Sequence, residues 1–451
     1  MTAGVLLTRA GRGGSPAPPV RLVHLGLGNF FRAHQAWYTA HAPDASEWGI
    51  AAFTGRGPAS ADTLARQDGL YTLITRAATG DEFETISTVS EVHPAADHDA
   101  WLRLLARPQV AVVTMTVTEA GYTRNGSGGL DLADRLVAAD IDALRADPRA
   151  RVSTAVGRLV AGLAARWAAG TGELAVVPCD NLPGNGPVLA GLVTEFADLI
   201  RPDLSRWIET NVCFVTTAVD RITPATTPEE LTAVEQALGY RDAAPVVTEP
   251  FREWVLCGEF PAGRPRWDEV GAVRTGDITT YERRKLWLLN GAHSLLAYTA
   301  PLRGHDTVAD AVADPVCLAW LRQWWDEATP HLGSDVRETN RYRRALLERF
   351  ANPRMRHRLV QIAMDGSRKL PVRILPVLRQ ERAAGRLPAG AIRVLAGWIC
   401  HLSGQGVAVS DPAAAGIREV DAALALLDPT LVADRALRAA VVAELARLRL
   451  G

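Results

Sequence analysis

Val20-Arg21-Leu22-Val23-His24-Leu25-Gly26-Leu27-Gly28-Asn29-Phe30-Phe31-Arg32 decides the fold. Its first half is apolar and strand-forming, and it ends on two glycines one residue apart. A strand feeding a G-x-G turn and then a helix opens a dinucleotide-binding βαβ unit. Glycine permits the tight turn and lets the backbone approach a pyrophosphate at the next helix N-terminus. Gly26, Gly28, Asn29, Phe30 and Arg32 are therefore candidate cofactor-binding residues. Phe31 stands where the third glycine of the fingerprint is expected. Alone, the pattern does not separate a cofactor loop from an ordinary glycine turn, so its context has to decide.

That context is alternating. Residues 49–53 read as a second strand, and 70–76 with 84–92 as a hairpin turned at Thr79-Gly80-Asp81. Residues 110–118 form a continuous β-branched run, as in a buried parallel strand, and 174–177 and 212–218 repeat it. Residues 130–169 and 187–200 have helical spacing, with Asn185 read as a helix cap. Such alternation predicts an α/β, Rossmann-type, doubly wound N-terminal domain. Past about residue 275 the strands stop, and helical stretches broken by prolines predict a mostly α-helical C-terminal domain. Residues 429–450 read as one amphipathic helix. The expected organisation is a loose tail over 1–18, a dinucleotide-binding domain over 19–274 and a helical substrate and catalytic domain over 275–451.

A chain of 451 residues accommodates two or three domains. Its net charge of -1 offers no basic field for nucleic acid or an anionic membrane. Five cysteines without a C-x-x-C pair predict a reduced, cytoplasmic protein. Ten histidines without an H-x-x-x-H spacing give no support to a metal site. No apolar run reaches the roughly 18 residues of a membrane span.

In open α/β sheets ligands gather beyond the carboxyl ends of the strands. Three such ends are polar: Thr114-Met115-Thr116-Val117-Thr118-Glu119-Ala120-Gly121-Tyr122, Pro178-Cys179-Asp180-Asn181-Leu182-Pro183-Gly184-Asn185-Gly186 and Ala218-Val219-Asp220-Arg221-Ile222-Thr223-Pro224. Each alone is explained by turn chemistry, but three at one edge point to a site. Thr118 and Glu119 join the candidate cofactor residues. The second strand ends Phe53-Thr54-Gly55-Arg56, with no acid to grip the ribose hydroxyls of NAD. Arg56 is either a solvated loop residue or a partner for a 2′-phosphate, so NADP stays open beside NAD.

The helical domain opens with Tyr281-Glu282-Arg283-Arg284-Lys285-Leu286-Trp287-Leu288-Leu289-Asn290-Gly291-Ala292-His293. At about 100° per residue, Glu282, Lys285, Asn290 and His293 fall within an arc of roughly 140°, which Leu286 and Leu289 share. Spacing alone does not separate a polar pocket from a solvated face.

The segment resembles the K-L-x-L-L-N-G-x-H signature of the polyol-specific long-chain dehydrogenases, the mannitol dehydrogenase family. The likeness covers nearly the whole chain after residue 20. It includes H-L-G-L-G, T-V-T-E-x-G-Y, C-D-N-x-x-G-N-G, V-D-R-I-T-P, E-P-F-x-x-W, F-P-A-G-R-P and D-G-S-x-K-L-P. The resemblance implies an NAD-dependent, zinc-independent secondary-alcohol dehydrogenase acting on an open-chain polyol or sugar acid. It implies that Lys285 is the general base, and a lysine needs a pKa well below its reference value of about 10.4 to serve at neutral pH. Asn290 and Asn181 would donate hydrogen bonds to the developing oxyanion. His293 would orient substrate hydroxyls, Glu282 would relay the proton, and Asp220 and Lys369 would stand near the substrate. Gln361 occupies a position where mannitol-oxidising members tend to have arginine, and Gln361-Ile362-Ala363-Met364-Asp365-Gly366-Ser367-Arg368-Lys369-Leu370-Pro371 resembles the hexuronate-reducing members. The resemblance therefore favours the fructuronate/mannonate reaction over mannitol or arabinitol oxidation. A mannitol 1-phosphate dehydrogenase would need a further basic cluster. A catalytically silent NAD- or sugar-binding sensor would be expected to lack Lys285, Asn290 or His293.

Overall fold

The computed structural model describes residues 5–450. The chain forms two compact units, one ending at Ile278 and one beginning at Thr279.

The first unit is built on six parallel strands: β1 (Val20–Leu25), β2 (Gly49–Phe53), β3 (Val89–His93), β4 (Val112–Met115), β5 (Leu174–Pro178) and β6 (Val212–Phe214). Their order across the sheet is 3-2-1-4-5-6, the doubly wound order of dinucleotide-binding domains. Direction reverses between β1 and β4, where Leu22 to Leu25 pair with Val112 to Met115. Alternation separates two cores. Val23, Leu25, Val113, Met115 and Val176 face one side, under the helices Ala155–Ala168 and Asn185–Ile200. Leu22, Ile50, Val112 and Val177 face the other, with Trp254 and Trp267 in that layer. Burial on both faces explains why these strands read as unbroken apolar runs.

Several sequence boundaries shift. The hairpin is Tyr71–Ala77 with Gly80–Ile86, and the run read as its second arm continues into β3 of the main sheet. Gly69, at a positive φ, and Leu70 precede the hairpin. The stretch 212–218 is two strands. β6 ends at Phe214, and Thr216–Asp220 pairs antiparallel with Glu253–Cys257, setting Asp220 opposite Glu253. The stretch 130–169 is two helices, Arg135–Ala146 and Ala155–Ala168. Asp134 and Thr154 cap them by accepting from backbone N–H groups, so local capping overrides a continuous apolar pattern.

Asn185 is not a cap. It is the first residue of its helix and is fully buried. Its amide donates to Pro178 O and Thr217 O, and its Oδ1 accepts from Thr217 N at 2.9 Å, bolting β5 to the next strand. Residues 5–18 are not a loose tail either. Val5–Leu6 pairs with Tyr240–Arg241, Leu7 is buried, and Arg9 donates to Ser87 O and Val89 O.

The second unit is helical throughout its described residues apart from an isolated bridge of Thr307 to Arg358. Its spine is Thr279–Arg284, Lys285–Asn290 and Gly291–Thr299 in sequence, packed on Ala389–Leu402, which packs in turn on Arg435–Leu450. The C-terminal run is broken in two at Asp434, which ends Thr430–Ala433 and caps the last helix through Leu437 N.

Candidate active site

The residues singled out in the sequence are distributed over both units. In the first, the β1 loop has the geometry of a phosphate turn. Gly26 has φ +115, and a side chain there would clash with Thr116 O across the switch point. Gly28 is different: a Cβ there would meet only Gly26 O at 3.7 Å. Its lack of a side chain leaves open space over the helix start at Asn29, which fits close approach by a dinucleotide. The missing third glycine has a structural reason. Phe31 is fully buried and its ring stacks on His24 with centroids 3.6 Å apart, filling the gap a closer helix would occupy.

His24 holds the turn from below, a part the sequence reading did not assign. Its Nε2 donates to Gly26 O at 3.1 Å, while Thr114 Oγ1 sits 2.7 Å from Nδ1. Thr116 Oγ1 donates to the same carbonyl at 2.7 Å. Burial pulls the His24 pKa down to about 3, so the ring is neutral.

Arg32, expected at the cofactor, is turned to the protein. It is 7% exposed and donates to Ala244 O at 2.5 Å and Asn29 Oδ1 at 2.6 Å, bracing the loop. Asn29 also reaches Pro224 O at 3.4 Å, and Phe30 stacks on His34. Thr118, Glu119 and Arg56 are exposed. Asn181 lies just past β5 and is exposed, and Asp220 ends its strand at 3% exposure. Beside Asn181, Asp180 accepts a hydrogen bond from the buried Tyr122 hydroxyl.

In the second unit the expected α-helix is wound differently. Lys285–Asn290 is a π-helix, with Gly291 N donating to Leu286 O across five residues. The i→i+5 turn sets Asn290 one turn above Lys285, so the two share a side more closely than α winding would allow. Trp324 Nε1 donates to Trp287 O and Trp325 Nε1 to Leu288 O, each at 2.8 Å. The indoles supply donors where the helical ladder changes register. Gly291 is needed because a Cβ there would lie 2.7 Å from the Trp324 ring. No periodicity argument at 3.6 residues per turn could have found this.

Lys285 is 7% exposed and His293 6%, and the buried Oδ1 of Asn290 and Nε2 of His293 lack hydrogen-bond partners among the described residues. His293 packs against Phe350 and the ring of His357. Its pKa is driven well below the usual histidine range by burial first, then by its neighbours His357, Arg373, Arg349 and Lys369. His357 is itself lowered to about 4, by burial and Arg349. Lys369 donates to Ile362 O at 3.3 Å, and Arg373 to Ser294 Oγ at 3.3 Å. Gln361 is exposed and Glu282 half-buried. The sequence reading missed Arg349 and His357, which lie outside the quoted motifs and meet His293 only through packing.

Comparison with known proteins follows this geometry. Residues 20–269 match the mannitol dehydrogenase Rossmann domain and residues 277–435 the mannitol dehydrogenase C-terminal domain. The chain is 40% identical to D-mannonate oxidoreductase of Escherichia coli, covering 89% of this chain and 85% of that protein. It is 37% identical to mannitol 2-dehydrogenase of Cereibacter sphaeroides, covering 85% and 81%. Its structure is similar to that of Pseudomonas fluorescens mannitol 2-dehydrogenase in ternary complex with NAD and D-mannitol, with a TM-score of 0.82, 32% identity and coverage of 99% and 94%. The doubly wound sheet, the helical second unit and both family matches lead to one conclusion: the chain is an oxidoreductase belonging to the mannitol dehydrogenase family.

Proposed function

We propose that the protein is an NAD-dependent, zinc-independent oxidoreductase that interconverts a secondary alcohol and a ketone on an open-chain sugar acid, of the fructuronate/mannonate type. Gly26 and Gly28 hold the pyrophosphate, and the bound nicotinamide supplies the hydride acceptor or donor. Lys285 takes the hydroxyl proton in the oxidative direction and returns it in the reductive one. Asn290 and Asn181 donate hydrogen bonds to the oxygen as it gains charge. His293, neutral and with Nε2 unpartnered among the described residues, is suited to exchange a hydrogen bond with a substrate hydroxyl. Glu282 passes the proton towards solvent, and Asp220 and Lys369 contact the substrate.

The observation that carries the sugar-acid reading is the electrostatics around His293. Arg349, Arg373 and Lys369 all raise the local potential at this ring. A neutral polyol has no use for that field, whereas a carboxylate does. The 40% identity to D-mannonate oxidoreductase supports the same reading.

Initial rates test it. kcat/KM for NADH-linked reduction of fructuronate is expected to exceed that for fructose, and Lys369→Ala or Arg349→Ala is expected to raise KM for fructuronate more than for fructose. Fructose as the better substrate, or equal damage to both reactions, rejects the sugar acid in favour of a neutral polyol. Fluorescence titration with NADH and NADPH tests the cofactor; negligible NADH binding beside tight NADPH binding would shift attention to Arg56.

A further inference from the structure

Tyr122 and Asp180 form a buried pair at the carboxyl edge of the sheet, exposed by 1% and 8%. Tyr122 ends the turn Glu119–Tyr122 in the loop after β4, and Asp180 lies two residues past β5. The phenol donates to Asp180 Oδ2. The other carboxylate oxygen, Oδ1, accepts from Leu182 N at 2.9 Å and from Asn185 Nδ2 at 3.3 Å. Asn185 is the residue that bolts β5 to the strand Thr216–Asp220. The residue between the two clamped positions, Asp180 and Leu182, is Asn181. Its backbone is therefore gripped on both sides, and the grip runs to the loop that carries Thr118 and Glu119.

We propose that Tyr122 and Asp180 are positioning residues for the reaction, fixing the turn that presents Asn181 and tying it to the loop after β4. This rests on the reading of Asn181 as an oxyanion donor. The chemistry explains why a tyrosine and an acid are used. A buried carboxylate needs several donors, and here Tyr122, Leu182 and Asn185 supply them. One donor comes from the loop after β4 and two from the turn that follows Asp180, so the carboxylate ties that turn to the loop. Burial raises the Asp180 pKa and the Tyr122 hydrogen bond lowers it. Removing the phenol hydroxyl leaves burial less opposed, so the carboxyl gains a proton at higher pH and then releases one of its backbone or amide partners.

The test uses full-length Tyr122→Phe, Asp180→Asn, their double variant and Asn181→Ala, with kcat and KM measured across pH 6 to 9 in steps of roughly half a unit. Tyr122→Phe is expected to lower kcat about 10- to 100-fold, with KM for NADH changed less than about threefold. Its kcat, taken as a ratio to wild type at each pH, is expected to fall further towards the acid end of that range. The double variant has no carboxyl to titrate, so this acid limb is expected to vanish. A purely structural contact would lower kcat evenly at every pH. Wild-type turnover in Tyr122→Phe with a slow Asn181→Ala, or a pH-independent loss that the double variant shares, overturns the proposal. Undiminished turnover in Asn181→Ala overturns the underlying reading of Asn181, and the proposal with it.

Discussion

In the proposed mechanism the chemistry depends on Lys285. Replacing it with alanine is expected to lower turnover by a factor on the order of 10² to 10⁴, as for loss of a general base. NADH affinity, measured by fluorescence, is expected to stay near wild type because the proposed pyrophosphate turn, Gly26 and Gly28, belongs to the other unit. Partial rescue by small amines would strengthen the assignment, and unchanged turnover would remove it. Dialysis against a chelator is expected to leave the rate intact. The described residues do contain one cluster of possible ligands, His305, Asp314 and Cys317. There, however, Arg303 Nε and His305 Nε2 both lie on Asp314 Oδ2, at 2.6 and 2.9 Å, and Oδ1 accepts from Val316 N as a helix cap. The carboxylate is already saturated by protein donors.

At the scale of elements, the π turn at Lys285–Asn290 is the feature most open to test. Trp324→Phe keeps the packing but removes the donor to Trp287 O, leaving a buried carbonyl short of a partner at a cost of about 1–3 kcal/mol. Gly291→Ala pushes a methyl group into the Trp324 ring and is expected to cost a similar ~1–3 kcal/mol by overpacking. Both variants are expected to melt several degrees lower. Both are also expected to lose kcat by about tenfold or more, because relaxation towards α winding rotates Asn290 away from Lys285. A variant that melts lower with wild-type kcat would show that the winding does not matter to the reaction.

The whole molecule carries an acid liability. His24 has a folded pKa of about 3 and His357 of about 4, while His293, His98 and His401 are also lowered, each chiefly by burial. The unfolded chain has ordinary histidines near 6.5, so below that pH the unfolded state binds more protons than the folded state. Stability contributed by these neutral rings is complete above about 6.5 and declines as pH falls towards the folded values, by about 1.4 kcal/mol per pH unit for each ring. Glu381, lowered to about 2 by Arg386 and His331, and Asp428, lowered to about 2 by Arg379, add their loss only below about 4. Tm is therefore expected to begin falling near pH 6.5. Calorimetry at pH 5 in buffers of different ionisation enthalpy should record a net uptake of protons on unfolding. A flat Tm between pH 7 and 5 would contradict the burial of these rings.

Local pattern was enough for the sheet. Strands buried on both faces read as apolar runs, and the G-x-G turn marks where the first of them ends, so the doubly wound class and the helical second half were legible from residues alone. The family signature singled out Lys285, Asn290 and His293 as candidates because their spacing lies within one segment. Tertiary structure decided the rest. The π winding depends on two indoles from residues 324 and 325, which no window around Lys285 contains. Arg32 carries the expected charge, but its hydrogen bonds to Ala244 O and Asn29 turn it inward. The field at His293 arises from Arg349, Lys369 and Arg373, more than 50 residues away along the chain. Short-range pattern fixes which elements form, because propensity and burial period are local. Which side chains meet, and with what charge, is set by long-range packing that a single sequence does not display.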